Sequence, residues 1–120
     1  MRVAVVDRSR EVREAIATLL QGRARVVEAA SLAELVRLEE PAEVVVADFA
    51  ACAGPCRGEL EALRSRWPGV HLVVATPGDE GEYARAAAAL AADGWVPKPR
   101  LGLLLPRLLE RLEKSLATAR

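Results

Sequence analysis

The chain has 120 residues, enough for one domain with a real core, and 52% of them are hydrophobic, yet no apolar run approaches the roughly 18–20 residues that cross a membrane. The apolar start Val3 to Val6 is short and runs into Asp7, so no secretory signal is expected, and the two cysteines, Cys52 and Cys56, are too few for a disulfide framework. With 17 basic and 17 acidic side chains the formal charge is zero, which argues against a domain-wide basic surface for nucleic acid and leaves a single cytoplasmic domain over residues 1–120 as the expectation.

Short apolar runs alternate with helical patterns. Val3-Ala4-Val5-Val6 reads as a strand buried on both faces. Val12, Ala15, Ile16, Leu19 and Leu20 then repeat as one stripe of a helix, with Ser9 as its N-cap and Gly22 as its stop. Arg25-Val26-Val27 is the second strand. Ser31 with Glu34 makes a capping box ahead of Leu35, Val36 and Leu38, and Pro41 ends that helix. Val44 to Ala47 is the third strand, closing on Asp48, and a loop of small residues is predicted from Phe49 to Arg57. Leu60 and Leu63 mark a short helix that ends near Trp67-Pro68-Gly69. Val70 to Ala75 is the fourth strand, closing on Thr76. Asp79 is placed to cap an Ala-rich helix through Leu90, which Asp93-Gly94 ends. Trp95-Val96 is a short fifth strand, followed by Pro97-Lys98-Pro99. The last helix carries Leu101, Leu104, Leu105, Leu108, Leu109, Leu112 and Leu116 on one broad face, so Pro106 is expected within its first turn, where a missing N–H costs little.

Five β-α units in a row imply an α/β fold, a doubly wound parallel sheet with helices on both faces. In such folds the polar site lies beyond the carboxyl ends of the strands, near the point where strand order reverses. Asp7, Asp48, Thr76 and Lys98 all fall at such ends. One strand-end aspartate alone would read as a turn residue; the four in step read as a site.

The stretches VVDRSREVRE, VVVADF, VVATPGD and ADGWVPKP, spanning Arg2 to about Leu112, resemble the receiver (CheY-like) domain of two-component response regulators. The resemblance implies a five-stranded sheet of order 2-1-3-4-5. It implies that Asp48 is the phosphoacceptor, Asp7 the first of an acidic pair, Thr76 the phosphate-sensing hydroxyl and Lys98 the phosphate-contacting lysine. Trp95 takes the place of the switch aromatic, and the bond before Pro99 is expected to be cis. A protein partner (a histidine kinase, an output protein or a second copy forming a homodimer) is expected on the face made by the fourth helix, fifth strand and fifth helix, with no nucleic acid and no membrane contact.

The sequence departs from that pattern at Arg8, where the second acid should stand. Mg²⁺ takes oxygen ligands, and an arginine is a permanent cation with five donors and no acceptor. Asp7, Asp48, Arg8 and Lys98 already sum to zero charge, so the guanidinium is expected to stand in for the ion, with a two-pronged contact to a carboxylate. No metal is expected, or at most one on Asp7 and Asp48. After Asp48 the usual Met-Pro and Gly are replaced by Ala51, Cys52 and Cys56, with Gly54-Pro55 supplying a different turn.

The leading expectation is therefore an atypical receiver acting as a protein-interaction module, with Mg²⁺-dependent aspartyl phosphorylation impaired by Arg8. The first alternative is a functional phosphoreceiver modified on Asp48 by a histidine kinase, with Arg8 turned away and Mg²⁺ as cofactor. The second is a small-ligand or thiol redox sensor using Cys52 and Cys56, whose three-residue separation is not the thioredoxin spacing. The single histidine, His71, leaves a zinc site short of ligands, and a nucleotide enzyme lacks its glycine-rich loop.

Overall fold

The structure, a computed structural model, describes residues 1–119. Five parallel strands form one sheet: β1 Arg2–Val6, β2 Arg25–Ala29, β3 Val44–Asp48, β4 His71–Thr76 and β5 Gly94–Pro97, in the order β2-β1-β3-β4-β5. The helices are α1 Arg10–Leu19, α2 Leu32–Leu35, α3 Phe49–Cys52, α4 Arg57–Arg66, α5 Gly81–Ala89 and α6 Leu101–Ala119. The expected fold and strand order are both present. The interior strands are runs of Val and Ala because both faces are covered, and β-branched side chains suit that pleated surface.

Alternate residues divide the core in two. Val3, Val5, Val44, Val46 and Val73 pack with Ile16 of α1, with Leu20 just past its end, and with Leu105, Leu108, Leu109 and Leu112 of α6. Ala4, Val6, Val45, Ala47 and Val74 pack on the other face with Leu32 and Leu35 of α2, Cys52 of α3 and Leu60 and Leu63 of α4. Helix α6 packs tightly on the sheet at Gly94, where an added Cβ would lie 2.7 Å from Leu108 Cδ2. The chain leaves β1 for β2 on one side and then crosses to β3 on the other, so the strand order reverses between β1 and β3. A crevice at the carboxyl ends of those two strands follows from that topology.

Several local expectations are corrected. Ser9 caps α1 through a 3.3 Å bond from the Val12 N–H, and Ser31 accepts from the Glu34 N–H at 3.1 Å, but α2 closes after one turn rather than running to Pro41. The stretch after Asp48 is not a loop: α3 starts at Phe49, and a 3₁₀ turn over Gly54–Cys56 leads directly into α4. Small residues there permit tight helical turns, with Gly54 at φ 57° and Pro55 inside the turn. Asp79 does not cap α5, whose N-cap is Glu80 without a side-chain bond. Asp93 does not end α5 either. That helix stops earlier, with Ala91 at φ 55°. Asp93 instead fastens the start of β4, since its N–H donates to Leu72 O and its Oδ2 accepts from Leu72 N, both at 2.8 Å. Pro106 lies beyond the first turn of α6, opposite an exposed Gly102 whose carbonyl can be hydrated in place of the lost bond. The Lys98–Pro99 bond is trans, contrary to expectation. Pro99 belongs to a 3₁₀ turn over Lys98–Arg100 that runs into α6, and the opening of a helical turn suits proline without a cis bond.

Candidate functional site

The β1–α1 turn builds one wall. Asp7 follows the last residue of β1, and its N–H donates to Ala29 O of β2 at 3.2 Å. Its Oδ1 accepts the Ser9 N–H at 2.8 Å, a local turn that fixes the carboxylate and presents Ser9 to cap α1. Arg13, one turn into α1, reaches back and donates to the carbonyl oxygens of Asp7 and Arg8 at 2.7 and 3.4 Å, while its Nε lies 3.5 Å from Glu28. Sequence reading misses this clamp, because nothing distinguishes Arg13 from other surface arginines until the turn folds back over it.

Asp48 ends β3 on the other side of the strand reversal. Lys98 comes from beyond β5 and spans β4 to meet both acids: its Nζ lies 2.7 Å from Asp48 Oδ1 and 3.0 Å from Asp7 Oδ2. Burial alone would lower the lysine's pKa, but the bonds to Asp48 and then Asp7 outweigh it and hold the ammonium above the usual lysine range. Asp48 Oδ2 has no hydrogen-bond partner among the described residues, and its side chain is 16% exposed. The arrangement thus holds one acid fast, grips one oxygen of a second acid with a cation, and leaves the other oxygen open at the crevice.

The remaining predicted site residues divide. Thr76 stands one residue past the β4 partner of Asp48 and is fully buried, but its hydroxyl donates to Gly78 O at 2.7 Å within its own turn. Trp95 is half-buried against the core on the α2–α5 side of the sheet, two residues before the Pro97 that pairs with Thr76. Arg8 departs from expectation. It is exposed, and among the described residues its guanidinium makes no ion pair or hydrogen bond, with either carboxylate or any other group. Lys98 has taken the role assigned to it, because a chain returning from β5 can reach both acids whereas the residue after Asp7 is turned outward by the Asp7–Ser9 bond.

The two thiols are unlike each other. Cys52 is fully buried in the core, and burial, then the charge of Asp48, pushes its pKa up to about 12. Its Sγ lies 3.5 Å from the carbonyl oxygens of Asp48 and Phe49. Cys56 is half-buried, and its pKa is raised chiefly by a hydrogen bond with Glu59, while Arg8 is near enough to pull it the other way. Both are free thiols. Phe49, next to the candidate acceptor, meets Tyr83 of α5 edge-on, with ring centroids 5.6 Å apart; neither aromatic stood out in the sequence.

The magnesium that the resemblance implies is poorly matched by these residues. Among the described residues no three His, Cys, Asp or Glu side chains converge on one point. Both available carboxylates hold Lys98, the second oxygen of Asp7 holds Ser9, and Arg8 has no lone pair to offer. No described helix is long and apolar enough to cross a membrane.

No protein-family model matches the chain, and no curated protein sequence is detectably similar to it. Solved structures do match. The chain is similar to the RcsB response regulator of Salmonella typhimurium, with a TM-score of 0.80 and 22% identity over 96% of this chain and 60% of that one. It is similar to the BeF3-activated DrrB receiver domain, at 0.80 and 21% over 94% of this chain and 97% of that one. Chemotaxis protein CheY4 of Vibrio cholerae matches at 0.76 and 23%, over 92% and 97%.

Proposed function

We propose a function that starts from the receiver fold, which those likenesses establish at the level of architecture. We propose that the chain is a receiver-type signalling module and that Asp48 accepts a phosphoryl group. The observation that carries this reading is the asymmetric grip on Asp48: Oδ1 lies on Lys98 at 2.7 Å while Oδ2 has no partner among the described residues. A carboxylate so placed can attack phosphorus with the open oxygen. Lys98 is positioned to pass from the carboxylate to a phosphoryl oxygen, and Thr76 to turn from Gly78 toward the new group. The outward Arg8 supports this reading over the one in which its guanidinium locks the pocket. The reactive donor is an acyl phosphate or a histidine kinase phosphohistidine.

A second reading, an interaction module unaffected by phosphate, is favoured by one observation: Lys98 already pairs with both acids while Arg8 replaces a third. Incubation with acetyl phosphate followed by intact mass decides between them. The first reading gives a single phosphoryl adduct that disappears in Asp48→Ala; the second gives none.

The partner in either case is a protein, and the face of α5, β5 and α6 is the proposed contact. Among the described residues, Leu103 of α6, 50% exposed, is the large hydrophobic side chain left in solvent.

A further inference from the structure

The residues around the crevice do not suit a divalent ion. Asp7 and Asp48 contribute two negative charges, Lys98 between them and Arg8 exposed beside them two positive ones, and a magnesium ion would leave the four with an excess of +2. Arg8 is nevertheless held in place from below. Arg13 binds the carbonyl oxygens of the two peptide units that flank Arg8, those of Asp7 and Arg8, at 2.7 and 3.4 Å, and Ser9 binds the Asp7 carboxylate while capping α1. The backbone is anchored, and the guanidinium alone is uncommitted among the described residues. Arg8 directly follows Asp7, whose carboxylate shares the Lys98 ammonium with Asp48, so its side chain springs from the same end of the sheet as Asp48.

We infer that Arg8 and Lys98 form a metal-independent site for the phosphoryl group on Asp48, Arg8 supplying the positive charge that an ion supplies in the fold's usual pattern. This rests on Asp48 being the acceptor. In the transfer, a lone pair of Asp48 Oδ2 forms the new O–P bond. The P–O bond of the acyl phosphate breaks, and its electron pair leaves with the carboxylate product. No proton has to move. The group arrives with about two negative charges where the carboxylate had one, so the neutral crevice gains roughly one negative charge. Lys98 takes one phosphoryl oxygen and Arg8 the others, a planar fork on a tetrahedral oxyanion. An arginine at this position therefore changes what the site requires without abolishing what it does.

The test uses beryllofluoride, a tetrahedral phosphoryl mimic that seats on an aspartate, read by fluorine NMR on the whole protein in EDTA and again with magnesium. Wild type is expected to show the bound signal in EDTA. Arg8→Ala, an exposed substitution that leaves the core intact, is expected to bind roughly ten- to a hundredfold more weakly there, the loss of one charge-assisted contact. Arg8→Asp is expected to bind only once magnesium is added. If wild type binds only with magnesium, or Arg8→Ala binds as tightly as wild type in EDTA, the inference is overturned while Asp48 stands as acceptor. If no bound signal appears with or without magnesium, the acceptor reading itself falls.

Discussion

Lys98 Nζ lies 2.7 Å from Asp48 Oδ1, tying the turn beyond β5 to the end of β3 across the whole width of β4. The same ammonium, 3.0 Å from Asp7, closes the sheet's carboxyl edge over the strand reversal. With the Lys98 side chain 29% exposed, solvent takes a share of the pair's strength. Lys98→Met is expected to destabilise the fold by about 1–2 kcal/mol at neutral pH, because two neighbouring carboxylates lose their shared cation. Urea unfolding of the two proteins at neutral pH checks this loss.

Alkaline pH reads Lys98 and Cys52 together. Both have folded-state pKa values above their unfolded ones, so the stability each contributes is complete below the unfolded pKa and is lost as pH rises toward the folded value. For Cys52 that window runs from 9.0 to about 12. For Lys98 it begins near 10.5. Stability should therefore begin to decline above pH 9. In Cys52→Ala, a smaller residue that leaves a cavity, the curve should start lower and fall less steeply above pH 9, because only the smaller upward shift of Cys56 remains until the lysine window opens. A curve for Cys52→Ala that falls above pH 9 as steeply as that of the wild type counts against the buried thiol as the main cause.

Thiol labelling distinguishes the cysteines. Cys52 is fully buried and should resist iodoacetamide in the folded protein, while Cys56 reacts, more slowly than a free thiol because its hydrogen bond to Glu59 favours the protonated form. Glu59→Gln should speed the reaction at Cys56. Two labels in native buffer at the rate of a free thiol would contradict the buried placement of Cys52.

Two backbone positions offer stability tests remote from the site. Ala91 sits at φ 55°, a left-handed conformation that costs a residue with a Cβ, and Ala91→Gly should raise stability by up to about 1 kcal/mol. At Gly94 the opposite holds. A methyl group would press on Leu108, so Gly94→Ala should cost about 1–3 kcal/mol, and less in a Leu108→Ala background. Thermal melts of the wild type, the three single variants and the Gly94→Ala/Leu108→Ala double variant give the comparison.

Much of this architecture can be read directly from residue patterns, for a physical reason. Strands buried on both faces must be unbroken β-branched runs, so Val44-Val45-Val46 and Val3 to Val6 announce themselves, and the polar residue that stops each run marks the sheet edge. Asp7, Asp48 and Lys98 are found that way, and the structure brings those three together. What stays hidden depends on contacts between distant segments. Helix α3 looks like a loop because its small residues have no periodic stripe, and only packing of Cys52 into the core makes it a helix. Arg13 and Asp93 act through carbonyl and amide groups that no sequence pattern displays. The direction of the Arg8 side chain is set by the Asp7–Ser9 turn, and charge counting alone pointed it the wrong way.

Leu103 tests the proposed partner face. A half-exposed leucine on α6 gives a partner an apolar anchor without supporting the core. Leu103→Glu should leave the melting temperature unchanged and abolish self-association or partner capture, as followed by sedimentation velocity. Association that survives the substitution moves the interface elsewhere.

The most direct measurement treats the protein with acetyl phosphate, reduces it with borohydride and sequences the peptides by mass. An acyl phosphate is reduced at its carbonyl, so a phosphorylated aspartate becomes homoserine. The account predicts homoserine at position 48, absent without the donor. An unaltered Asp48, or homoserine at Asp7 instead, would contradict it.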